Sequence, residues 1–346
     1  MFTSVHIENF RGIKNATLSG FKPLNIFWGK NDCGKTTLLE ALFLLSGPCN
    51  PRLPFNINSF RAYPRIEEDD LKLWFYRLNE QYPIILRSSN TINRELIITP
   101  IHSEPIGEDE NLVADQSNPR ERIYGLSLLL RYNNQEFRSE LRVSGGNHSQ
   151  LESIRADGYR EALQTRFVHM NSSLEGSIEL LNAIIKENKK EFLLKAMRLY
   201  DPRIADWAVI NGVVLLDLGF PAMIPINLMG NGIRKLLNVL VSIYSCKNGM
   251  VFVDEIDNGV HFLHFKDMWR AIRDAAKDYN VQVFATTHSL DCMRGFSDAL
   301  DEESRAESVN IGQGFVLDSD EDGRLDAKSF SVYQLKLAFA NDVDLR

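Results

Sequence analysis

The chain has 346 residues, 44% of them hydrophobic and 25% charged, with a formal net charge of -7. That length supports a large core in one domain or two lobes, and the composition is ordinary for a globular protein. No apolar run approaches the ~20 residues that span a bilayer, no basic-then-apolar leader opens the chain, and the acidic balance leaves only a local basic patch for contacting nucleic acid.

In chain order, FTSVHIENF and LNIFWG read as strands separated by a polar, glycine-bearing turn region. KTTLLEALFLLSG has helical spacing and stops at Gly47-Pro48. Residues 48–70 read as loop, rich in proline, with Arg52, Arg61 and Arg65 as a candidate partner or nucleic-acid surface. From about 84 to 145, PIILRSS, RELIITPI, YGLSLLLRY and EFRSELRV alternate or carry β-branched residues, with Asn133-Asn134 as a hairpin turn. This is an antiparallel β insertion in an α/β domain. IGEDENLVADQSNPRER is expected to be a mobile loop tip.

TRFVHMNSS reads as a strand, SIELLNAIIKEN and KEFLLKAMRLY as helices, and WAVINGVVLLDLG as a hairpin around Asn211-Gly212. GIRKLLNVLVSIYSCK is helical, MVFVDE is a short apolar strand ending in two acids, HFKDMWRAIRDAAKDY is an amphipathic helix, and VQVFATTHS is a buried-type strand. DSDEDG copies the opening of a calcium loop, but its twelfth position is Ser329 and its flanks read as strands, so a solvated turn is expected. KENKK reads as a solvated basic face. The four cysteines, Cys33, Cys49, Cys246 and Cys292, lack metal or disulfide spacing, and a reducing cytoplasm is the expected setting.

GKNDCGKT, Gly29 to Thr36, fits G-x-x-x-x-G-K-[ST] between an apolar strand and a helix. The glycines let a tight loop turn backbone N–H groups toward phosphate, and the helix start adds its positive end. Gly29, Lys30, Asn31, Asp32, Cys33, Gly34, Lys35, Thr36 and Thr37 are the candidate nucleotide-binding residues. Lys35 supplies charge to β- and γ-oxygens, and Thr36 a hydroxyl to Mg²⁺. Cys33 occupies a variable position of the loop and is read as tolerated. Asp254 would hold Mg²⁺ through water, and Glu255 would orient and deprotonate the attacking water. His288, ending the next strand, would reach the γ-phosphate from the same sheet edge.

The segments IENFRGIKN, GKNDCGKTTLLEAL, LMGNGIRKLL, VFVDEIDNGVH and FATTHS, in that order, resemble the ABC-type ATPases of the SMC, RecF and OLD group, most closely the compact ATPases of bacterial anti-phage defence operons. The resemblance implies an α/β P-loop ABC-type fold: a mixed β-sheet core flanked by helices, with an antiparallel β insertion. Residues 1–84 would form an N-terminal lobe, 85–164 the insertion and 165–346 a C-terminal lobe. It implies ATP and Mg²⁺, and a homodimer or higher oligomer in which Gly230, Asn231 and Gly232 cap the γ-phosphate bound to the other subunit. The family's signature has a serine where Gly230 stands and a glycine where Asn231 stands, which puts the hydroxyl contact in question. Arg234 and Lys235 follow as positions near the shared phosphate or the dimer seam. Asp257 would be the coupling residue where the chain crosses the interface. Arg11 would lie near the nucleotide, with an exposed surface arginine as the plain alternative, and Gln81 matches the glutamine loop by distance alone. With no Toprim nuclease domain or long coiled coil expected, the implied role is a sensor or regulator of a separate effector, a nuclease or toxin, with no membrane association. A RecF-like clamp binding DNA directly and a non-hydrolysing nucleotide-dependent scaffold are the alternatives.

Overall fold

The computed structural model describes residues 1–61, 68–89, 93–102, 123–144, 150–170, 172, 174–302 and 310–341. Through them the chain runs β1 (Ser4–Phe10), β2 (Ile13–Ser19), β3 (Leu24–Gly29), α1 (Lys35–Ser46), α2 (Leu53–Phe60), β4 (Ile84–Ser89), β5 (Arg94–His102), β6 (Ile123–Tyr132), β7 (Gln135–Ser144), β8 (Gln150–Ile154), β9 (Thr165–Val168), α3 (Ile178–Lys186), α4 (Lys190–Tyr200), β10 (Asp206–Ile210), β11 (Val213–Asp217), β12 (Ile224–Pro225), α5 (Asn231–Ser245), β13 (Met250–Val253), α6 (Phe265–Tyr279), β14 (Gln282–Thr287), α7 (Leu290–Leu300), β15 (Gly312–Ser319), β16 (Arg324–Ser331) and α8 (Val332–Ala340).

The strands LNIFWG, MVFV and QVFATT are buried along their whole length, so none alternates apolar and polar faces, and the polar Asn25, Gln282 and Thr286 within them are each hydrogen-bonded. They lie side by side and parallel as β3, β14 and β13, with β9 beyond β13 and β15 on the other side of β3. Successive side chains part to opposite faces. Ile26, Trp28, Val251, Val253, Val283 and Ala285 join a core with α3 to α8, while Phe27, Phe252, Phe284 and Phe315 join a second core with α1. Phe284 stacks between Phe27 at 6.3 Å and Phe252 at 5.4 Å, a row on which α1 rests through Phe43. Truncating such a ring to alanine costs about 3–5 kcal/mol, so this row fixes α1 against the sheet.

The antiparallel strands continue the same sheet, in the order β8-β7-β6-β5-β4-β1-β2-β16-β15-β3-β14-β13-β9. Their inner face, including Ile84, Leu86, Leu96, Ile98, Leu126 and Leu128, belongs to the α1 core. Their outer face carries a cross-strand ladder of charge: Glu8–Arg87 at 3.0 Å, Arg87–Glu95 at 2.6 Å, Glu95–Arg131 at 3.1 Å and Arg131–Glu136 at 2.9 Å. The arginines of this ladder are thus neutralised by neighbouring strands. Asn133 and Asn134 make the expected hairpin turn, both with positive φ. The Asn211-Gly212 hairpin also forms, and β10 to β12 make a separate small sheet.

Several expectations need correction. The turn region after β1 contains β2, which pairs antiparallel from Ser4↔Ser19 to Phe10↔Ile13. Its polar positions Lys14, Asn15 and Thr17 are exposed, so only Ile13, Ala16 and Leu18 signal the buried face. Residues 48–70 contain α2 and the start of a 3-10 stretch that runs from Glu68 to Trp74. Pro54 sits in the first turn of α2, where the missing N–H is not needed. β8, α7 and α8 are further elements that the sequence pattern did not suggest. Ser289 caps α7, and a reciprocal Ser331–Gln334 pair caps α8. The turn at DSDEDG is as expected: Asp320 Oδ1 accepts the N–H groups of Asp322 and Arg324 between β15 and β16. The expected loop tip and Arg65 lie outside the described residues. Among the described residues, no helix is long and apolar enough to cross a membrane.

Candidate functional site

Because β3, β14 and β13 are adjacent and parallel, their carboxyl ends open on one edge of the sheet. β3 leaves through the loop 30–34 into α1. Gly34, with φ +93°, makes the final turn, and no side chain caps α1, so its first N–H groups face the loop. The Lys35 ammonium donates to the carbonyls of Gly29 at 2.8 Å and Lys30 at 2.6 Å, which holds it across the loop mouth.

One residue on, the Thr36 hydroxyl donates to both carboxylate oxygens of Asp254, at 3.1 and 3.0 Å. Asp254 Oδ1 also accepts from Thr286 at 2.6 Å, so residues from three separate elements meet on one carboxylate. Thr286 Oγ1 in turn accepts the backbone N–H of Glu255 at 2.9 Å. Glu255 has φ +46°, a left-handed conformation that turns the chain out of β13 at the cleft. These are hard oxygen donors beside a phosphate-type loop, a set that suits Mg²⁺ held jointly by protein and phosphate. Among the described residues no acid, histidine or cysteine cluster would hold a metal alone.

A cleft of about 430 Å³ lies over this edge. It is lined by the expected Asn31, Asp32, Cys33, Gly34, Lys35, Thr36, Thr37 and Glu255. Gly12, Ile13, Ser319, Gly323 and Leu325 complete its lining, together with Arg61 from the C-terminal end of α2. Arg61 binds Glu40 of α1 through two bonds, at 2.7 and 3.1 Å. Burial works to lower the Arg61 guanidinium, but its hydrogen bond to Glu40 prevails and raises it. In the sequence Arg61 is one of three arginines on an expected loop; its approach to the cleft depends on α2, which the loop-like composition hides.

Arg11 does not line the cleft. Its guanidinium pairs with the buried Glu40 at 3.1 Å, bonds Asn58 at 2.5 Å and lies 4.6 Å from the centre of the Trp74 ring. It is neither a free surface arginine nor a cleft residue. Gln81 is exposed and also absent from the cleft lining.

None of Gly230, Asn231 and Gly232 lines the phosphate-loop cleft. They begin α5 elsewhere, with Gly230 as N-cap. The two glycines differ in what surrounds them. A Cβ on Gly230 would meet nothing within 4 Å, whereas one on Gly232 would lie 2.1 Å from the Tyr200 hydroxyl and 3.2 Å from the Gly259 carbonyl. Packing inside the chain therefore favours glycine at 232, since any side chain there would have to push the Tyr200 hydroxyl aside. From the same helix start, the Lys235 ammonium donates to the Asp254 carbonyl at 2.9 Å. Burial pulls it down to about 8, against the opposing pull of Asp254, Glu255 and Asp257. The Arg234 guanidinium bonds the Asn231 side chain. His288 lies at the end of β14, half exposed, with Nδ1 3.3 Å from the buried carboxylate of Asp257.

A family model described as "AAA domain, putative AbiEii toxin, Type IV TA system" matches residues 24–291, well over half of the chain. An "ATP/GTP phosphatase" of Helicobacter pylori is 25% identical over the full length of both proteins. The DNA replication and repair protein RecF of Acinetobacter baylyi is 50% identical over 44 residues, 13% of this chain and 12% of that protein. Among solved structures, an SMC head bound to the C-winged helix domain of ScpA covers 95% of this chain and 97% of its own, with 14% identity and a TM-score of 0.49. The SMC head domain from Thermotoga maritima covers 95% and 99%, with 11% identity and a TM-score of 0.46.

Proposed function

The chain belongs to this AAA-domain ATPase family, and on that premise we propose that it is an ABC-type ATPase of the SMC and RecF kind, two copies of which close head to tail around two ATP molecules and thereby regulate a separate effector protein. The observation that carries the reading is the division of the parts. Lys35, Thr36 and Glu255 share one cleft, while the Gly230–Gly232 helix start lies outside it. A second copy supplies that missing cap.

In this reading the loop 30–34, Lys35 and the start of α1 bind the phosphates. Thr36 and Asp254 would hold Mg²⁺, which would supply positive charge against the phosphates. Thr286 keeps Asp254 oriented. Glu255 accepts a proton from water as the water oxygen attacks the γ-phosphorus. The bond from that phosphorus to the bridging oxygen breaks, and ADP and phosphate leave. His288 faces the terminal phosphate. Arg61, pinned to α1 through Glu40, adds positive charge at the cleft wall.

The effector is a nuclease or toxin acting in bacterial anti-phage defence in the cytoplasm. The toxin link draws on the family description, which names a putative toxin of a type IV toxin–antitoxin system. The RecF match supports a second reading, a DNA-binding clamp. The neutralised charge ladder on the outer face of the insertion weighs against DNA on that surface. The test is light scattering of the Glu255→Gln chain with ATP and Mg²⁺. A dimer that disappears in Lys35→Ala supports the shared-site reading. A monomer under both conditions contradicts it, and salt-sensitive DNA binding by the ATP-bound form would favour the clamp.

A further inference from the structure

Asp257 lies three residues beyond Asp254, on the turn that leaves β13. Its side chain is 5% exposed, and its Oδ2 is 3.3 Å from Nδ1 of His288, whose own side chain is 54% exposed. We infer that Asp257 is a positioning residue for His288. It fixes the imidazole with Nδ1 protonated and leaves Nε2 on the exposed side of the ring, free to meet a ligand. This rests on the ATPase reading of the cleft and names a second residue behind one of its groups.

The local backbone makes the pair rigid. The turn after β13 is laced to β14, the strand that delivers His288. Glu255 N–H donates to the Thr286 hydroxyl at 2.9 Å, and Ile256 N–H donates to the Thr286 carbonyl at 3.0 Å. The turn closes on itself through Asn258 N–H to Glu255 O and Val260 N–H to Asp257 O. On the other side, the His288 carbonyl accepts the indole N–H of Trp28 at 3.3 Å, and Ser289 N–H donates to the Thr287 hydroxyl. Carboxylate and imidazole are thus each held by the same two strands.

The burial pattern says what the pair is for. A carboxylate removed from water needs a hydrogen-bonded partner to remain charged. Asp257 Oδ1 is buried and has no hydrogen-bond partner among the described residues, so the contact at Oδ2 holds the group. The ring on the other end is largely in the open, as expected for a group that meets a ligand. A carboxylate at one ring nitrogen selects the tautomer and orientation and leaves the other nitrogen for chemistry. Nε2 then accepts a bond when the ring is neutral and donates to a phosphate oxygen when the ring takes a second proton.

The geometry also separates roles within the segment that the resemblance assigned to the dimer seam. Asn258, Gly259 and His261 are its exposed residues, and Gly259 lies against Asn231 at the start of α5, where an added Cβ would come within 2.6 Å of the Asn231 Cβ. Asp257 points the other way, into its own chain.

The test is nitrogen-detected NMR of the wild-type chain with ¹⁵N-labelled histidine rings and no nucleotide, His288 being assigned by its loss in His288→Ala. A ring protonated at Nδ1 is expected, reverting in Asp257→Ala to the Nε2-protonated form that free imidazoles favour and returning in Asp257→Glu. A wild-type ring protonated at Nε2 overturns the inference, whatever the variants do. In turnover, Asp257→Ala should lower kcat by about 10- to 100-fold with KM for ATP little changed, the scale on which such orienting partners act. The double variant with His288→Ala should lose no more than His288→Ala alone, and losses that multiply would show that Asp257 acts independently of His288. If Lys35→Ala hydrolyses ATP at the wild-type rate, the ATPase cleft reading fails while the NMR result still decides the pair.

Discussion

Thr36 and Asp254 stand 218 positions apart in the chain and meet hydroxyl to carboxylate at 3.0 Å. A loop that binds phosphate and a strand that ends in acid thereby share one point, where a cation can touch both. Asp254→Asn is expected to lower kcat for ATP hydrolysis by about 100-fold, and chelation of Mg²⁺ to abolish it. Thr286→Val removes both the bond that orients Asp254 and the acceptor of the Glu255 N–H, and should cost about 10-fold and raise the Mg²⁺ concentration needed. Phosphate release measured across a Mg²⁺ titration checks both; an Asp254→Asn chain with wild-type rate and Mg²⁺ dependence would remove Asp254 from the metal site.

Glu255 is placed by a left-handed backbone turn rather than by the strand itself. Glu255→Gln keeps the shape and removes the base. It is expected to lower kcat by about 100- to 10,000-fold while ATP still binds. Equilibrium binding of a fluorescent ATP analogue beside single-turnover rates separates the two effects. Lost affinity with an intact chemical step would make Glu255 a binding group instead.

Arg61 and Arg11 share Glu40 but should fail differently when removed. Arg61 reaches the cleft, so Arg61→Ala should reduce kcat/KM by about 10-fold; it also strips two bonds from Glu40, but at 43% exposure its place can be taken by water, so the loss of stability should be smaller than for Arg11. Arg11 is held between Glu40 and the Trp74 ring away from the cleft. Arg11→Ala takes one partner from a buried carboxylate and should cost about 3 kcal/mol of folding stability in urea. The reverse pattern, stability lost with Arg61 and turnover with Arg11, would overturn this division.

The two glycines at the start of α5 make a similar pair. Gly232→Ala drives a methyl group into the Tyr200 hydroxyl and should destabilise the fold by about 1–3 kcal/mol. Gly230→Ala meets open space and should melt within a few degrees of wild type. Thermal unfolding of both variants distinguishes them, and equal midpoints would contradict the packing origin of Gly232.

The phosphate loop and the acidic strand end were legible because their signals are local. A strand buried on both faces leaves an unbroken apolar run, and a tight loop requires glycine at fixed spacing. Elements whose signal is shared between strands were harder to see. β2 shows three buried residues among polar ones, and α2 hides behind a proline that its first turn tolerates. Arg61 reads as one of three loop arginines until α2 and Glu40 place it at the cleft. Asp257 carried a resemblance-based role on the seam, yet its partner is 31 positions away in a strand whose register no local pattern states. Gly232 drew attention as a possible phosphate-facing glycine, and Tyr200 supplies a reason for it within the chain.

The shared-site proposal meets its most direct test in mixed subunits. One chain carries Lys35→Ala, which disables its own phosphate loop. The other carries Gly230→Asp, which suits an N-cap and fits the open space there but sets a negative charge against an incoming phosphate. Each homodimer should be inactive. Equal mixing should form half heterodimers with one intact composite site each, restoring about a quarter of wild-type turnover. Heterodimers seen by native mass spectrometry that hydrolyse no ATP would contradict the proposal that each site is built from two chains.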